Sequence, residues 1–102
     1  MRRDVFQAIA DPTRREIIQM LASATLPLNA VVEKLDLSRP AISKHIKILA
    51  ECGLIMIEQI GRERYCKARL DKIKEVTDWT DRLSKLWDQK LQSLKNDVEN
   101  EK

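Results

Sequence analysis

Apolar residues recur every three or four positions through the first third of the chain, a spacing typical of helices that bury one face. The start of one such helix is marked by two residues. Asp11 is a good N-cap and Pro12 fits the first helical turn. The pattern therefore predicts three short helices, over residues 2–10, 12–22 and 29–35.

A fourth helix, predicted over residues 38–52, separates an apolar face from a basic one. Ser38 can cap its start. At about 100° per residue, Ile42, Ile46 and Leu49 fall together and predict a stripe that faces the core. The polar face begins in the first turn, where a DNA-reading helix meets the edges of the bases. That face carries Arg39, Ser43, Lys44 and Lys47.

Residues 54–70 alternate between apolar and polar positions around Gly61-Arg62, a two-residue turn with glycine first. Arg62 and Arg64 lie at or next to this turn, where a basic loop can reach the backbone of a nucleic acid. The pattern predicts two strands that form a hairpin, over residues 54–60 and 63–70.

Residues 72–100 return to helical spacing over a much longer stretch. The stripe consists of Ile73, Val76, Thr80, Leu83, Trp87, Leu91, Leu94 and Val98. A helix of roughly 25 residues is about 38 Å long, which is more than a domain of this size can cover. Its length favours dimerisation through the helix over the alternative, packing against its own domain. The predicted dimer interface comprises Phe6, Ile9, Val76, Trp79, Leu83, Trp87 and Leu91.

Length and composition limit the class of protein. One hundred and two residues, 43% of them hydrophobic, suffice for one domain over residues 1–102 with a modest core. Two cysteines do not make a disulfide framework, and no apolar run is long enough to span a bilayer. We therefore expect a cytoplasmic protein. Because the sequence shows no phosphate-binding loop, metal cluster or nucleophile–base arrangement, we do not expect an enzyme.

Positive charge is concentrated in the fourth helix and the hairpin. The whole chain has a net charge of only +3, whereas residues 38–69 hold seven Lys or Arg against three Asp or Glu. This local excess favours a polyanionic partner, here double-stranded DNA. Ser43 and Lys44 are the candidates for base edges, and the others for bases or phosphates. The predicted DNA contacts are Ser38, Arg39, Ser43, Lys44, His45, Lys47, Arg62 and Arg64.

Three residues with reactive side chains need a separate interpretation. His45 lies at the edge of the core stripe, so a packed or phosphate-contacting role is favoured over a pH sensor. Cys52 ends the fourth helix, and Cys66 is expected to pair roughly with Ile57 on the inward face of the hairpin. Both cysteines are predicted to be small core residues. The alternative is a thiol switch, because oxidation beneath the hairpin would re-aim it.

Three segments, in this order and spacing, resemble the ArsR/SmtB family of winged helix-turn-helix repressors. Residues 11–18 begin Asp-Pro-Thr-Arg-Arg, like the second helix of that family, and residues 38–49 resemble its recognition helix. Gly53-Leu54-Ile55 and Gly61-Arg62 resemble the entry and the tip of its wing. The resemblance covers essentially the whole chain. It implies an α-α-α-α-β-β-α fold, a homodimer through the terminal helices, and repression of transcription at an inverted-repeat operator.

We do not expect this chain to have the metal sites of the best-known members of the family. Those members place cysteines in the third helix, or His and acidic residues on the terminal helix. Here residues 29–35 hold no Cys or His, and the terminal helix has Asp78, Asp81 and Asp88 but no His or Cys. Transition metals prefer nitrogen and sulfur ligands, so we expect neither a metal nor another cofactor.

Three other functions stay open at this point. One is a sensor repressor that responds to a metal, to a small-molecule inducer or to oxidation. It would use Cys52 and Cys66, or a pocket between paired helices near Trp79 and Trp87. Another is a winged helix that binds a protein, which would leave Arg39 and Lys44 facing solvent. The third, an enzyme, is disfavoured by the missing motifs. The sequence names no inducer, operator or regulated gene.

Overall fold

The computed structural model describes residues 4–100, which form five helices and three short strands. They have the predicted winged helix-turn-helix fold, and from the second helix onward the limits of each predicted element lie within two residues of those expected. The predicted start of the first helix, at residue 2, lies outside the described residues. The elements are α1 (Val5–Ile9), α2 (Pro12–Ser23), β1 (Leu26–Pro27), α3 (Leu28–Lys34), α4 (Arg39–Glu51), β2 (Ile55–Ile60), β3 (Glu63–Ala68) and α5 (Ile73–Asn100).

Short polar side chains cap three of the helices. Asp4, Asp11 and Ser38 precede α1, α2 and α4 in extended backbone, and each side chain accepts a hydrogen bond from the N–H three residues later. Such a cap is typically worth about 1 kcal/mol. Asp11 and Ser38 are therefore the helix starts that the sequence predicts. The donors are Gln7, Arg14 and Ala41, at 2.9, 3.1 and 3.3 Å.

The sheet has one strand more than the sequence predicts. β3 lies between β1 and β2 and pairs antiparallel with both. The added strand places Leu26 opposite Cys66 and Pro27 opposite Tyr65. Two residues that include a proline carry no alternating pattern, and only their pairing with the hairpin makes them a strand. The order of elements is therefore α-α-β-α-α-β-β-α. We call the β2–β3 hairpin the wing. Because β1 directly precedes α3 and pairs with β3, it connects the start of α3 to the wing.

The turn of the wing is the predicted one. Ile60 pairs with Glu63, and the intervening Gly61 has a φ of +64°, a value that favours glycine. Ile57 pairs with Cys66, as expected. However, Cys66 is only 1% exposed while Ile57 remains 43% exposed. Cys66 therefore lies in the core and Ile57 does not. The expectation that Ile57 faces the core is wrong.

The hydrophobic core of the described residues joins α1 to α4 with the base of the wing. The predicted core stripe of α4 is confirmed, since Ile42, Ile46 and Leu49 are all buried. Cys52 and Cys66 are also buried and neither is in a disulfide, so both are the small core residues predicted. The largest fully buried side chains are Ile17, Ile42, Leu49, Leu54, Val31 and Cys66.

α5 is 28 residues long, and none of its residues is buried. Near its start, Ile73 and Val76 pack partly against the core of the same chain, so Val76 is only partly available to the predicted dimer interface. Phe6 of α1 contacts Trp79 edge-to-face, with ring centroids 5.6 Å apart. Beyond these contacts the helix projects from the domain, which gives residues 4–100 extents of 71 × 29 × 26 Å.

Candidate nucleic-acid interface

The polar face of α4 is exposed. Arg39, Ser43, Lys44 and Lys47 all face solvent, whereas the opposite face of the helix forms part of the core. The separation follows from the helical period, because positions three and four apart share a face. α4 is therefore anchored by its apolar stripe and presents its basic side chains outward, in the arrangement that a DNA-reading helix requires.

A polar cleft of about 230 Å³ lies between the start of α3, α4 and the tip of the wing. We call it the basic cleft. Three guanidinium groups border it, from Arg39 on α4 and from Arg62 and Arg64 on the wing. Guanidinium groups bind phosphate and base edges through paired hydrogen bonds, so their convergence suits a nucleic-acid backbone. The lining residues are Pro27, Leu28, Asn29, Arg39, Ser43, Arg62, Glu63 and Arg64.

Asn29 is a residue of this cleft that the sequence analysis missed. Its side-chain oxygen accepts a hydrogen bond from Nη1 of Arg39. The contact joins the first turn of α3 to the first turn of α4 and orients the guanidinium group in the cleft. The two residues are ten positions apart on separate helices, so no local pattern predicts their contact. The packing of the helix-turn-helix brings them together.

His45 lies on the side of α4 that faces α2, away from the basic cleft. Its Nδ1 is 3.3 Å from Nη1 of Arg14 and 3.9 Å from Oδ2 of Asp11. Because a guanidinium group only donates, Nδ1 of His45 accepts from Arg14 in the neutral ring that carries its proton on Nε2. The protonated ring instead places a positive charge beside Asp11. The structure thus gives His45 packing partners within the domain, and its predicted contact with DNA stays a prediction.

Arg14 is the second residue whose position the sequence analysis did not foresee. Besides its contact with His45, it donates from Nε to the carbonyl of Ala8 at 2.7 Å and from Nη2 to the carbonyl of Gln7 at 3.0 Å. Carbonyls at the end of a helix lack partners within that helix. One side chain of α2 therefore satisfies two carbonyl groups at the end of α1 and supports α4.

Asp11 stays ionised at the start of α2. Partial burial favours its neutral form, but the backbone N–H of Arg14 and the charges of His45 and Arg14 favour the carboxylate, and a contact with the N–H of Thr13 adds to them. The result is a pKa below the usual value of 3.8. The negative charge also complements the positive end of the helix dipole.

The thiol of Cys66 lies beneath the wing. Burial raises the pKa of the Cys66 thiol above its usual value, because the surroundings solvate a thiolate poorly. A protonated, buried thiol reacts slowly with oxidants, since the thiolate is the nucleophile. This environment disfavours the thiol switch and supports a structural role for Cys66.

Two features of residues 4–100 bear on other functions. No helix among them is long and apolar enough to cross a membrane. No three His, Cys, Asp or Glu side chains in this range form a group that could hold a metal ion. The expectation that the chain takes no metal remains a prediction, which elemental analysis of the purified protein tests.

Known proteins resemble this chain in both sequence and fold. A helix-turn-helix domain model matches residues 9–58. The transcriptional repressor SdpR of Bacillus subtilis is 30% identical over 76 residues, which cover 74% of this chain and 84% of SdpR. An ArsR-like transcriptional regulator from a Rhodococcus species superposes with a TM-score of 0.78 at 32% identity, covering 94% of this chain and 88% of that one. The crystal structure of an ArsR family transcriptional regulator gives 0.73 at 31% identity, with 81% and 91% covered.

The chain belongs to the ArsR/SmtB family. The prediction made from the motifs is thereby confirmed, as is the winged helix-turn-helix fold. The region matched by the helix-turn-helix model runs from the end of α1 into β2. It includes the capped start of α2 and all of α4, which carry two of the three segments on which the resemblance rests.

Proposed function

We propose that this chain is a DNA-binding transcriptional repressor that acts as a homodimer on an inverted-repeat operator. The observation that carries the proposal is the convergence of Arg39 and Ser43 of α4 with Arg62 and Arg64 of the wing on the basic cleft. Membership in a family of transcription regulators supports the same conclusion. Family and fold point to a DNA-binding regulator and not to an enzyme.

In the proposed complex, α4 lies in a major groove, which is wide enough to admit a helix. Arg39 enters in the first turn, and Ser43 and Lys44 follow one turn later. Arginine and lysine recognise guanine, and serine accepts several bases. Lys47 then contacts the flanking backbone.

The wing is proposed to contact the DNA beside the major groove. Arg62 and Arg64 are exposed and lie next to Arg39 and Ser43 around the basic cleft. Cations at such a position contact phosphates or enter a narrow minor groove. These contacts position the protein on the duplex, whereas α4 supplies most of the sequence discrimination.

The homodimer is proposed to form through α5. Its apolar stripe is exposed throughout residues 79–98, with Trp87 55% exposed. At 1.5 Å per residue the helix is about 42 Å long, so a second copy of the same helix can cover it along its length. Two-fold symmetry then places two α4 helices on inverted half-sites, about one helical turn of DNA or a small multiple apart.

The proposal is tested by removing two cationic side chains from the exposed face of α4. Arg39→Ala with Lys44→Ala should abolish specific binding while the dimer stays intact, because each lost base contact costs about 1–3 kcal/mol. The readout is fluorescence anisotropy of duplex DNA from the region upstream of the protein's own gene. The matched control, Lys74→Ala with Lys95→Ala, removes the same charge from exposed positions of α5.

Wild-type binding should also weaken steeply with salt. If the dimer neutralises roughly six phosphates, the log–log slope of affinity against salt concentration is about −5. Unchanged affinity in the Arg39/Lys44 variant would show that α4 does not read DNA. A flat salt profile would show that the basic cleft does not hold a nucleic-acid backbone.

A further inference from the structure

A second cavity lies between α4 and the wing, next to the basic cleft. It has a volume of about 560 Å³, within the range of ligand sites in proteins. We call it the wing pocket. Its apolar lining comes from Leu28, Ile46, Ala50, Ile57 and Cys66.

The wing pocket exists because small side chains occupy the positions where larger ones would fill it. Cys66 of β3 and Ala50 of α4 are both small, and they leave a gap between the helix and the hairpin. Ile57 also lines the pocket and remains 43% exposed. The raised pKa of the Cys66 thiol is consistent with an apolar interior at this place.

The polar side chains of the pocket have an excess of positive charge. Lys47 of α4 and Arg64 of β3 contribute two cations, Glu51 contributes one carboxylate, and Ser43 adds a hydroxyl. An occupant that suits this lining has an apolar body for the interior and one negative group for Lys47 and Arg64. A negative group would be attracted by Lys47 and Arg64, a neutral apolar molecule would gain nothing from their charge, and a cation would be repelled by them.

We propose that the wing pocket binds a small amphipathic carboxylate, with its hydrocarbon part against Ile46 and Ile57 and its carboxylate at Arg64 and Lys47. Ser43, Lys47 and Arg64 are also among the residues expected to contact DNA. A bound carboxylate therefore competes with the operator for the same side chains. This regulatory consequence rests on the proposed function, whereas binding to the pocket does not.

The test uses the full chain with ¹³C-labelled Ile and Leu methyl groups, titrated with octanoate in the absence of DNA. The methyl signals of Leu28, Ile46 and Ile57 should shift together and give one dissociation constant. Octan-1-ol, which has the same chain without the charge, should bind at least fivefold more weakly. Shifts confined to leucines of the exposed α5 stripe, or equal affinity for octanol, would overturn the proposal.

Two substitutions on one strand supply a matched pair. Ile57→Trp should fill the mouth of the pocket and weaken octanoate binding at least tenfold. Met56→Trp adds the same side chain at the neighbouring exposed position, whose side chain lies on the opposite face of β2 and does not line the pocket. It should leave binding unchanged. If both variants bind octanoate like the wild type, the pocket is not the site.

Arg64→Gln tests the charge without changing the interior of the pocket. It should reduce the preference for octanoate over octan-1-ol at least twofold, with Lys47 retaining part of it, and an unchanged preference would contradict the assignment of the carboxylate to Arg64.

A DNA experiment separates this proposal from the proposed function. Saturating octanoate should weaken operator binding by the same factor by which the operator weakens octanoate binding, because the coupling is reciprocal. If the chain binds octanoate in the pocket but binds no DNA, the proposed function fails and the pocket stands. If it binds DNA with no methyl shifts on adding octanoate, the pocket fails alone.

Discussion

The domain of α1 to α4 and the sheet differs from α5 in how its apolar side chains are covered. In the domain, side chains such as Ile17, Ile42 and Leu49 have no exposed surface. In α5 the stripe is as regular, yet Leu91, Leu94 and Val98 are more than half exposed. Periodicity alone therefore marks a face that must be covered, but not what covers it. The domain covers its own stripes, and we propose that a second chain covers the stripe of α5.

The largest expected effect comes from disrupting the proposed contact between the α5 helices of two chains, with the rest of the domain unchanged. Trp87→Asp places a charge in the centre of the proposed dimer interface, where it would be desolvated. The variant should be a folded monomer, and it should lose operator affinity by a factor of about 10² to 10⁴, the usual gain from linking two binding sites. Sedimentation velocity and operator titration measure the two effects.

Gln89→Asp is the control for that experiment, because it adds the same negative charge to α5 at an exposed position outside the stripe. It should stay a dimer and bind normally. If Trp87→Asp also remains a dimer with normal affinity, α5 is not the interface. A second chain then does not cover the apolar stripe of α5.

The second prediction compares the same substitution, leucine to alanine, in the domain and in α5. In the monomeric Trp87→Asp chain, Leu49→Ala should lower the free energy of unfolding by about 2–5 kcal/mol, because it leaves a cavity in a closed core. Leu94→Ala in the same chain should change it by about 0.5 kcal/mol or less, since Leu94 is 52% exposed. Urea unfolding followed by circular dichroism gives both values. Equal costs would mean that α5 folds back onto its own domain.

The smallest expected effect concerns the cap of α2. Asp11→Ala should lower the free energy of unfolding by about 1 kcal/mol at pH 7 through loss of the cap. Because the pKa of Asp11 is lower in the folded chain than its usual 3.8, the carboxylate stabilises the fold above about pH 4. That contribution is lost as the pH falls through the folded pKa. The difference between wild type and variant should therefore shrink below pH 3.8.

Ser38→Ala is the matched control, since it removes a cap that does not titrate. Its cost should be similar at pH 7 and nearly constant with pH, apart from changes shared by both chains. A cost of Asp11→Ala that does not change between pH 7 and pH 3 would show that the folded state does not favour its carboxylate.

The fold was largely predictable because its signals are local. Asp11 and Ser38 act as caps within three residues of themselves, and Gly61 sets a turn between its immediate neighbours. β1 was missed because Leu26 and Pro27 become a strand only when β3 lies beside them.

The candidate interface was predictable in its members but not in its geometry. The helical period places Arg39 and Ser43 on one face of α4, and the turn places Arg62 next to the tip of the wing. Their convergence on one cleft, the contact of Asn29 with Arg39, and the position of His45 against Arg14 depend on how separate elements pack. None of these contacts follows from spacing along the chain.

The sequence by itself determined the helices, the wing turn, the family and the faces that carry charge, because each depends on residues near one another or on recurring motifs. Only the tertiary structure decided that Arg14 joins α1, α2 and α4, and that small side chains at Ala50 and Cys66 leave a pocket under the wing. The physical reason is that close packing is a property of surfaces brought together from distant positions, and a gap or a contact between them has no counterpart in local pattern.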